Sequence, residues 1–167
     1  MPSFRKPKGV IARFIPDFNG RAMAGGGTFN SGTNGNYATC GLFNDSQPAA
    51  DLVVWWAHTR EVPGSPIPAG FGLTQVAIIT GNAGQSLQPG VPLVTDQGQL
   101  PGSTWAGVIP VLNFNIILEI DCGTVPWEWQ QPYPLCVLTP GFSLIFVTND
   151  VAVTQNTSFI WEVSPAI

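Results

Sequence analysis

Charge is what this sequence most lacks. Only 10% of its 167 residues are Asp, Glu, Lys or Arg, against roughly a quarter in an ordinary soluble domain. A surface so poor in charge has to be made of Gly, Ser, Thr, Asn, Gln and Pro. Such surfaces are commonly covered by copies of the same chain or by another protein. Histidine is almost missing as well, His58 being the single one. With the three cysteines Cys40, Cys122 and Cys136 scattered and without CxxC spacing, it makes no familiar zinc set. Three is also an odd and sparse count for a disulfide framework, so all three read as reduced core residues. No apolar run approaches the roughly 18 residues that cross a bilayer. Nor does Met1 to Arg21, with its charges and with Pro2, Pro7 and Pro16, resemble the apolar stretch of a signal peptide. These absences predict a protein made in a cytoplasm, soluble and without membrane contact. On that reading the two sequons, at Asn44 and Asn156, are chance matches.

Catalytic signatures are missing too. GxSxG, HExxH, GxxxxGK[ST] and GxGxxG do not occur, and the glycine-rich GGGTFNSG at 25–32 lacks the lysine of a phosphate loop. His58 lies in ADLVVWWAHTREV and reads as structural, because a general base needs a nucleophile and an orienting carboxylate beside it. Glu119 and Asp121 stand two apart in a strand and so point the same way. A pair like that serves as acid and base in glycosidases or binds calcium, but the commoner reading is a solvated strand face. No enzyme activity, no cofactor and no metal are expected.

What the chain does have is apolar residues, at 44%, enough for the core of one domain. They fall in short runs rich in Val, Ile, Phe, Trp and Thr, broken by Gly, Pro, Asn and Asp. Strands are expected near 37–43, 50–62, 71–80, 91–95, 104–111, 114–122, 135–139, 142–148 and 157–163, and no window holds a 3.6-residue period. The fold class is therefore all-β: an antiparallel β-sandwich, jelly-roll-like, with an extended N-terminal arm. Residues 1–36 are read as that arm and a glycine-rich linker, and 37–167 as the sandwich domain. Thr139-Pro140-Gly141 has the composition of a type II turn and predicts a tight hairpin. Phe142, Leu144 and Phe146, and later Phe159, Trp161 and Val163, alternate as strands with one face toward the core.

Two segments invite a contact role. Arg5, Lys6, Lys8, Arg13 and Arg21 are five of the six basic residues, and only Asp17 opposes them within the first 21 positions, whereas beyond residue 22 Arg60 faces nine acids. An acidic body does not take up nucleic acid through its folded surface. The arm, with Val10, Ile11, Phe14 and Ile15 beside its charges, looks suited to anchoring on an acidic surface, through Arg5, Lys6, Lys8, Arg13 and Phe14. The second segment is the proline-stiffened loop 124–134, where Trp127, Trp129 and Tyr133 could stack on sugar rings, cap the sandwich or meet a neighbouring subunit.

Three stretches, YATCGLFNDSQPAADL at 37–52, LTPGFSLIFVT at 138–148 and TSFIWEVSP at 157–165, resemble the small virion proteins of tailed bacteriophages. That resemblance covers about a third of the chain and concerns fold positions only. It implies a jelly-roll or similar subunit, often trimeric, that decorates a capsid or builds tail and fibre parts. The expectation is thus a non-enzymatic virion protein, a homo-oligomer and most plainly a trimer. It would be synthesised in the host cytoplasm and bound to the major capsid or other virion proteins through its arm. The alternative is a carbohydrate- or receptor-binding sandwich module of a phage tail or fibre.

Overall fold

A computed structural model of the chain describes residues 21–30, 37–62, 67–74, 87–94, 97–109, 116–122, 126–129, 131–151 and 153–165. Among them there is no helix, and twelve strands form two antiparallel sheets. In chain order these are β1 (Ala22–Asn30), β2 (Tyr37–Phe43), β3 (Ala50–Val62), β4 (Ile67–Thr74), β5 (Gln88–Pro89) and β6 (Val91–Pro92). They continue with β7 (Ser103–Ile109), β8 (Ile116–Cys122), β9 (Trp127–Trp129), β10 (Cys136–Leu138), β11 (Ser143–Val151) and β12 (Thr154–Pro165). The front sheet has the order β10-β3-β12-β1-β6, with β9 on the same edge of β3 as β10. The back sheet runs β5-β7-β2-β11-β4-β8. The all-β antiparallel sandwich expected from the sequence is the observed architecture.

The core lies between the sheets. Leu52, Val54, Ala57, Phe159, Trp161, Val163 and Met23 point in from the front, and Leu42, Phe71, Leu144 and Phe146 from the back. Alternation explains the choice: in β12 the odd-numbered residues from Gln155 to Val163 are buried and the even ones from Thr154 to Ser164 half-exposed, the period of a strand with one covered face. Each fully buried large apolar side chain contributes roughly 1.5–3 kcal/mol. In β11 both faces are buried, because Ile145 and Val147 join Trp105 in a second cluster on the outer side of the back sheet. The expected core face of Leu144 and Phe146 is observed, and the opposite face of this central strand, flanked by β2 and β4, is covered as well.

Two sequence expectations are corrected. The run Gly25-Gly26-Gly27 is not linker. It belongs to β1, whose nine residues pair with β12 from Ala22 opposite Glu162 to Asn30 opposite Thr154, so the folded domain starts well before residue 37. The glycines are there because the sheets close up at this point. A Cβ on Gly25 would come within 2.8 Å of Thr104 Cγ2, and one on Gly27 within 2.7 Å of Ala106 Cβ. The second correction concerns Thr139-Pro140-Gly141. It is a tight turn, with Phe142 N bonded to Thr139 O at 3.1 Å and Gly141 at φ 85°, as a type II turn requires. Yet it closes no hairpin: β10 pairs with β3 in the front sheet, and β11 pairs with β2 and β4 in the back one. The turn carries the chain from sheet to sheet. Smaller differences also occur. The strand expected at 71–80 begins earlier, β4 starting at Ile67, the aromatic loop contains β9, and the strand expected at 91–95 is only Val91–Pro92.

Candidate functional site

Among the described residues, a chemically varied surface arises from one irregularity in β3. Ile160 pairs with Trp56 but Trp161 pairs with Val54, so Trp55 is an extra residue and the ladder bulges there. Before the bulge Leu52 and Val54 face the core, and after it Ala57 and Thr59 do. Both tryptophans are thereby left on the outer side of the front sheet. Each indole N–H meets a carboxylate: Trp55 Nε1 donates to Glu162 Oε2 at 3.3 Å, and Trp56 Nε1 donates to Glu128 Oε1. The Trp56 and His58 rings stack at 5.7 Å with an interplanar angle of 9°. Directly across the ladder, His58 faces Glu128 on β9 and Ser158 on β12. The result is a strip of rings with a carboxylate beside each indole, and with the exposed Arg60 further along β3. The doublet Trp55-Trp56 was the signal for this strip, since two adjacent large rings cannot both face the core of a regular strand.

The aromatic loop is placed differently. Trp127 and Trp129, on β9, lie opposite Thr59 and Ala57 and so face inward. Rings follow one another from the core outward: Phe146 to Phe71 at 4.9 Å, Phe71 to Trp127 at 5.0 Å, Trp127 to Trp129 at 6.4 Å, and Trp129 to Tyr133 at 5.6 Å. Because Phe71 and Phe146 belong to the back sheet, this series plugs the gap between the sheets beside β3. Tyr133 is 55% exposed at its outer end. The structure thus brings Trp127, Trp129 and Tyr133 together, and the first two are half-buried against the core.

Among the described residues, two thiols are masked by burial. Burial pushes the Cys40 thiol up to about 12, against a smaller opposing effect of its bond with Thr157. The Cys136 thiol, packed against the core although the residue is only partly buried, is also raised to about 12 by burial. Thiols held protonated in this way are poor nucleophiles at neutral pH. An open cleft of about 410 Å³ is lined by Asp45, Gln47, Pro89 and residues 99–103. Its carboxylate serves the fold, accepting from Gly102 N at 2.7 Å and from Ser103 Oγ. Among the described residues no three His, Cys, Asp or Glu side chains converge where they could hold a metal ion. Glu119 and Asp121 lie on β8, an edge strand of the back sheet. The expected anchoring residues Arg5, Lys6, Lys8, Arg13 and Phe14 fall outside the described residues. Comparison of the chain with family models, with curated proteins and with solved structures finds no match.

Proposed function

We propose that this protein is a non-enzymatic structural subunit of a virus particle, a capsid decoration or similar surface component of a tailed bacteriophage. It assembles with copies of itself, and its N-terminal arm attaches it to other virion proteins. The observation that carries the assembly is the pair of lateral edges of the front sheet. On the β6 edge Val91, Leu93 and Val94 are 65%, 47% and 41% exposed, and on the β10 edge Tyr133 and Val137 are 55% and 50% exposed. Neither 87–94 nor 131–138 contains a charged residue. Apolar patches at opposite edges favour a head-to-tail contact, which closes into a ring when the rotation allows, and a homotrimer is the smallest ring. The phage assignment draws on the resemblance at 37–52, 138–148 and 157–165, with the jelly-roll-like connectivity it implies.

The test has two parts. Sedimentation equilibrium at micromolar concentration should give a trimer, and Val91→Asp together with Val137→Asp should release monomers that keep the β-rich circular dichroism spectrum. A stable wild-type monomer would overturn the assembly. For attachment, deletion of residues 1–20 should abolish co-sedimentation with purified particles. Arg21 is retained because its Nε donates to Val163 O and it belongs to the fold.

A further inference from the structure

We propose that residues 1–20 dock on the outer face of the chain's own front sheet before attachment, lying across Trp55, Trp56 and His58. This rests on the attachment role above only for its purpose, since the docking occurs in the free subunit. The first argument is chemical fit. The segment carries Arg5, Lys6, Lys8 and Arg13 against one acid, Asp17, with Val10, Ile11, Phe14 and Ile15 between and beside them. The face offers the complement: flat rings, half-exposed Ile160 and Val53, and the carboxylates of Glu128 and Glu162. Guanidinium and ammonium groups are attracted to indole faces, Trp being the best of the aromatic partners, and the carboxylates supply the opposite charge.

The second argument is position. Arg21 is held against β12, where its carbonyl accepts from Val163 N at 3.1 Å, and Ala22 lies directly opposite Glu162. The chain therefore leaves the fold about 5 Å, one strand spacing, from Glu162 and about 10 Å from the strand bearing Trp55 and Trp56. Twenty residues reach up to about 66 Å when extended, so the strip lies well within range. A tether this short gives a millimolar effective concentration, which favours the chain's own arm over that of a second copy in dilute solution. The other carboxylates with described side chains are not available in the same way: Asp51 is buried, and Asp45 is bonded to Gly102 and Ser103. Stowed in this manner, the arm cannot engage the particle and its own sheet at once, so the particle must offer the stronger acidic surface.

The sequence makes the test specific, because Lys6 and Lys8 are the only lysines. Carbodiimide treatment of the intact free protein joins an amine to a carboxylate only where they touch. Mass spectrometry should find Lys6 or Lys8 joined to Glu128 or Glu162. When heavy-nitrogen-labelled and unlabelled chains are unfolded, mixed in equal amounts and refolded together, so that any oligomer contains both, the joined peptides should carry a single label. Trypsin supplies a second readout: cleavage after Lys8 and Arg13 should accelerate several-fold at about 0.5 M salt, where the screening length falls to a few ångström, and likewise in the Glu128→Gln/Glu162→Gln double variant. Cross-links to other acids or none, mixed-label pairs, or cleavage indifferent to salt and to the double substitution would each overturn self-docking. None of these outcomes bears on whether the arm binds particles.

Discussion

The side-chain amide of Asn44 donates to the main-chain carbonyl of Leu138 at 2.7 Å, across 94 residues of sequence. The same Nδ2 donates to Ala50 O at 2.8 Å, and Oδ1 accepts from Ser46 N at 3.1 Å. The backbone of Asn44 completes the junction, its N–H bonded to Phe142 O and its carbonyl to Gly141 N, each at 2.9 Å. One residue with 1% exposure thus ties the β2–β3 connection to the end of β10 and to the turn that changes sheets.

Asn44→Ala should therefore be costly. It takes the side-chain partner from the Leu138 carbonyl and from the Ser46 N–H, whereas Ala50 O keeps its bond from Ser46 Oγ; each buried group left unmet carries a penalty of about 1–3 kcal/mol. A loss of about 3 kcal/mol or more in urea unfolding is expected. Asn44→Asp should do no better, since it keeps the acceptor but turns a carboxylate oxygen toward the two carbonyls.

Gly27 separates a strand from a linker by the sign of a stability change. In a flexible linker, Gly→Ala stabilises by about 0.4–1 kcal/mol through the unfolded chain. Here the new methyl meets Ala106 Cβ at 2.7 Å, and overpacking of this kind costs about 1–3 kcal/mol. Gly27→Ala should lower the denaturation midpoint, and Ala106→Gly introduced with it should recover part of the loss, a coupling that a double-mutant cycle measures.

The ring series beside β3 should divide by depth. Trp127→Ala removes a half-buried ring from Phe71 and should cost about 2 kcal/mol, below the range for fully buried tryptophan. Tyr133→Ala, at the exposed end, should stay within about 1 kcal/mol. Equal effects on melting temperature would mean that the series does not plug the sandwich.

The thiols make stability fall in alkali. A folded-state value of about 12 for Cys40, raised above the ordinary 9.0 by burial, means that folding favours the protonated form. That contribution is complete below pH 9 and is lost as pH climbs from there toward 12, by up to about 1.4 kcal/mol per unit. Thermal scans should show a decline in this window that is shallower in Cys40→Ala. At pH 8 the native thiol should react with a disulfide reagent far more slowly than the unfolded one.

Much of this fold was legible because strands announce themselves by alternation. Alternating apolar residues placed β11 and β12, and short apolar or Thr- and Trp-containing runs bounded by turn residues placed β2, β3 and β7, within a few residues. What stayed hidden was what depends on a partner far away in sequence. Gly25 and Gly27 read locally as flexibility, and only the closeness of Thr104 and Ala106 explains them. Pro140 and Gly141 specify the shape of a turn but not which sheet receives the chain after it. The outer strip was half visible: Trp55-Trp56 breaks the two-residue period and so implies a bulge, but nothing local names Glu128 or Glu162 as the carboxylates that meet the indoles. Trp127 and Trp129 were noticed for their composition, and their inward orientation follows from pairing with β3.

The place of β12 has a consequence for how the protein is made. It lies in the middle of the front sheet, between β3 and β1, and is translated after every other strand of the two sheets. While the ribosome is still adding residues near 150, β1 and β3 have no common neighbour, and Phe159, Trp161 and Val163 are missing from the core. Folding of the front sheet must wait until β12 has left the exit tunnel. Until then an apolar, charge-poor nascent chain with open strand edges is exposed to its neighbours on the same messenger. Chaperone capture during synthesis, and slow refolding of the purified chain governed by long-range pairing, are what such a topology demands.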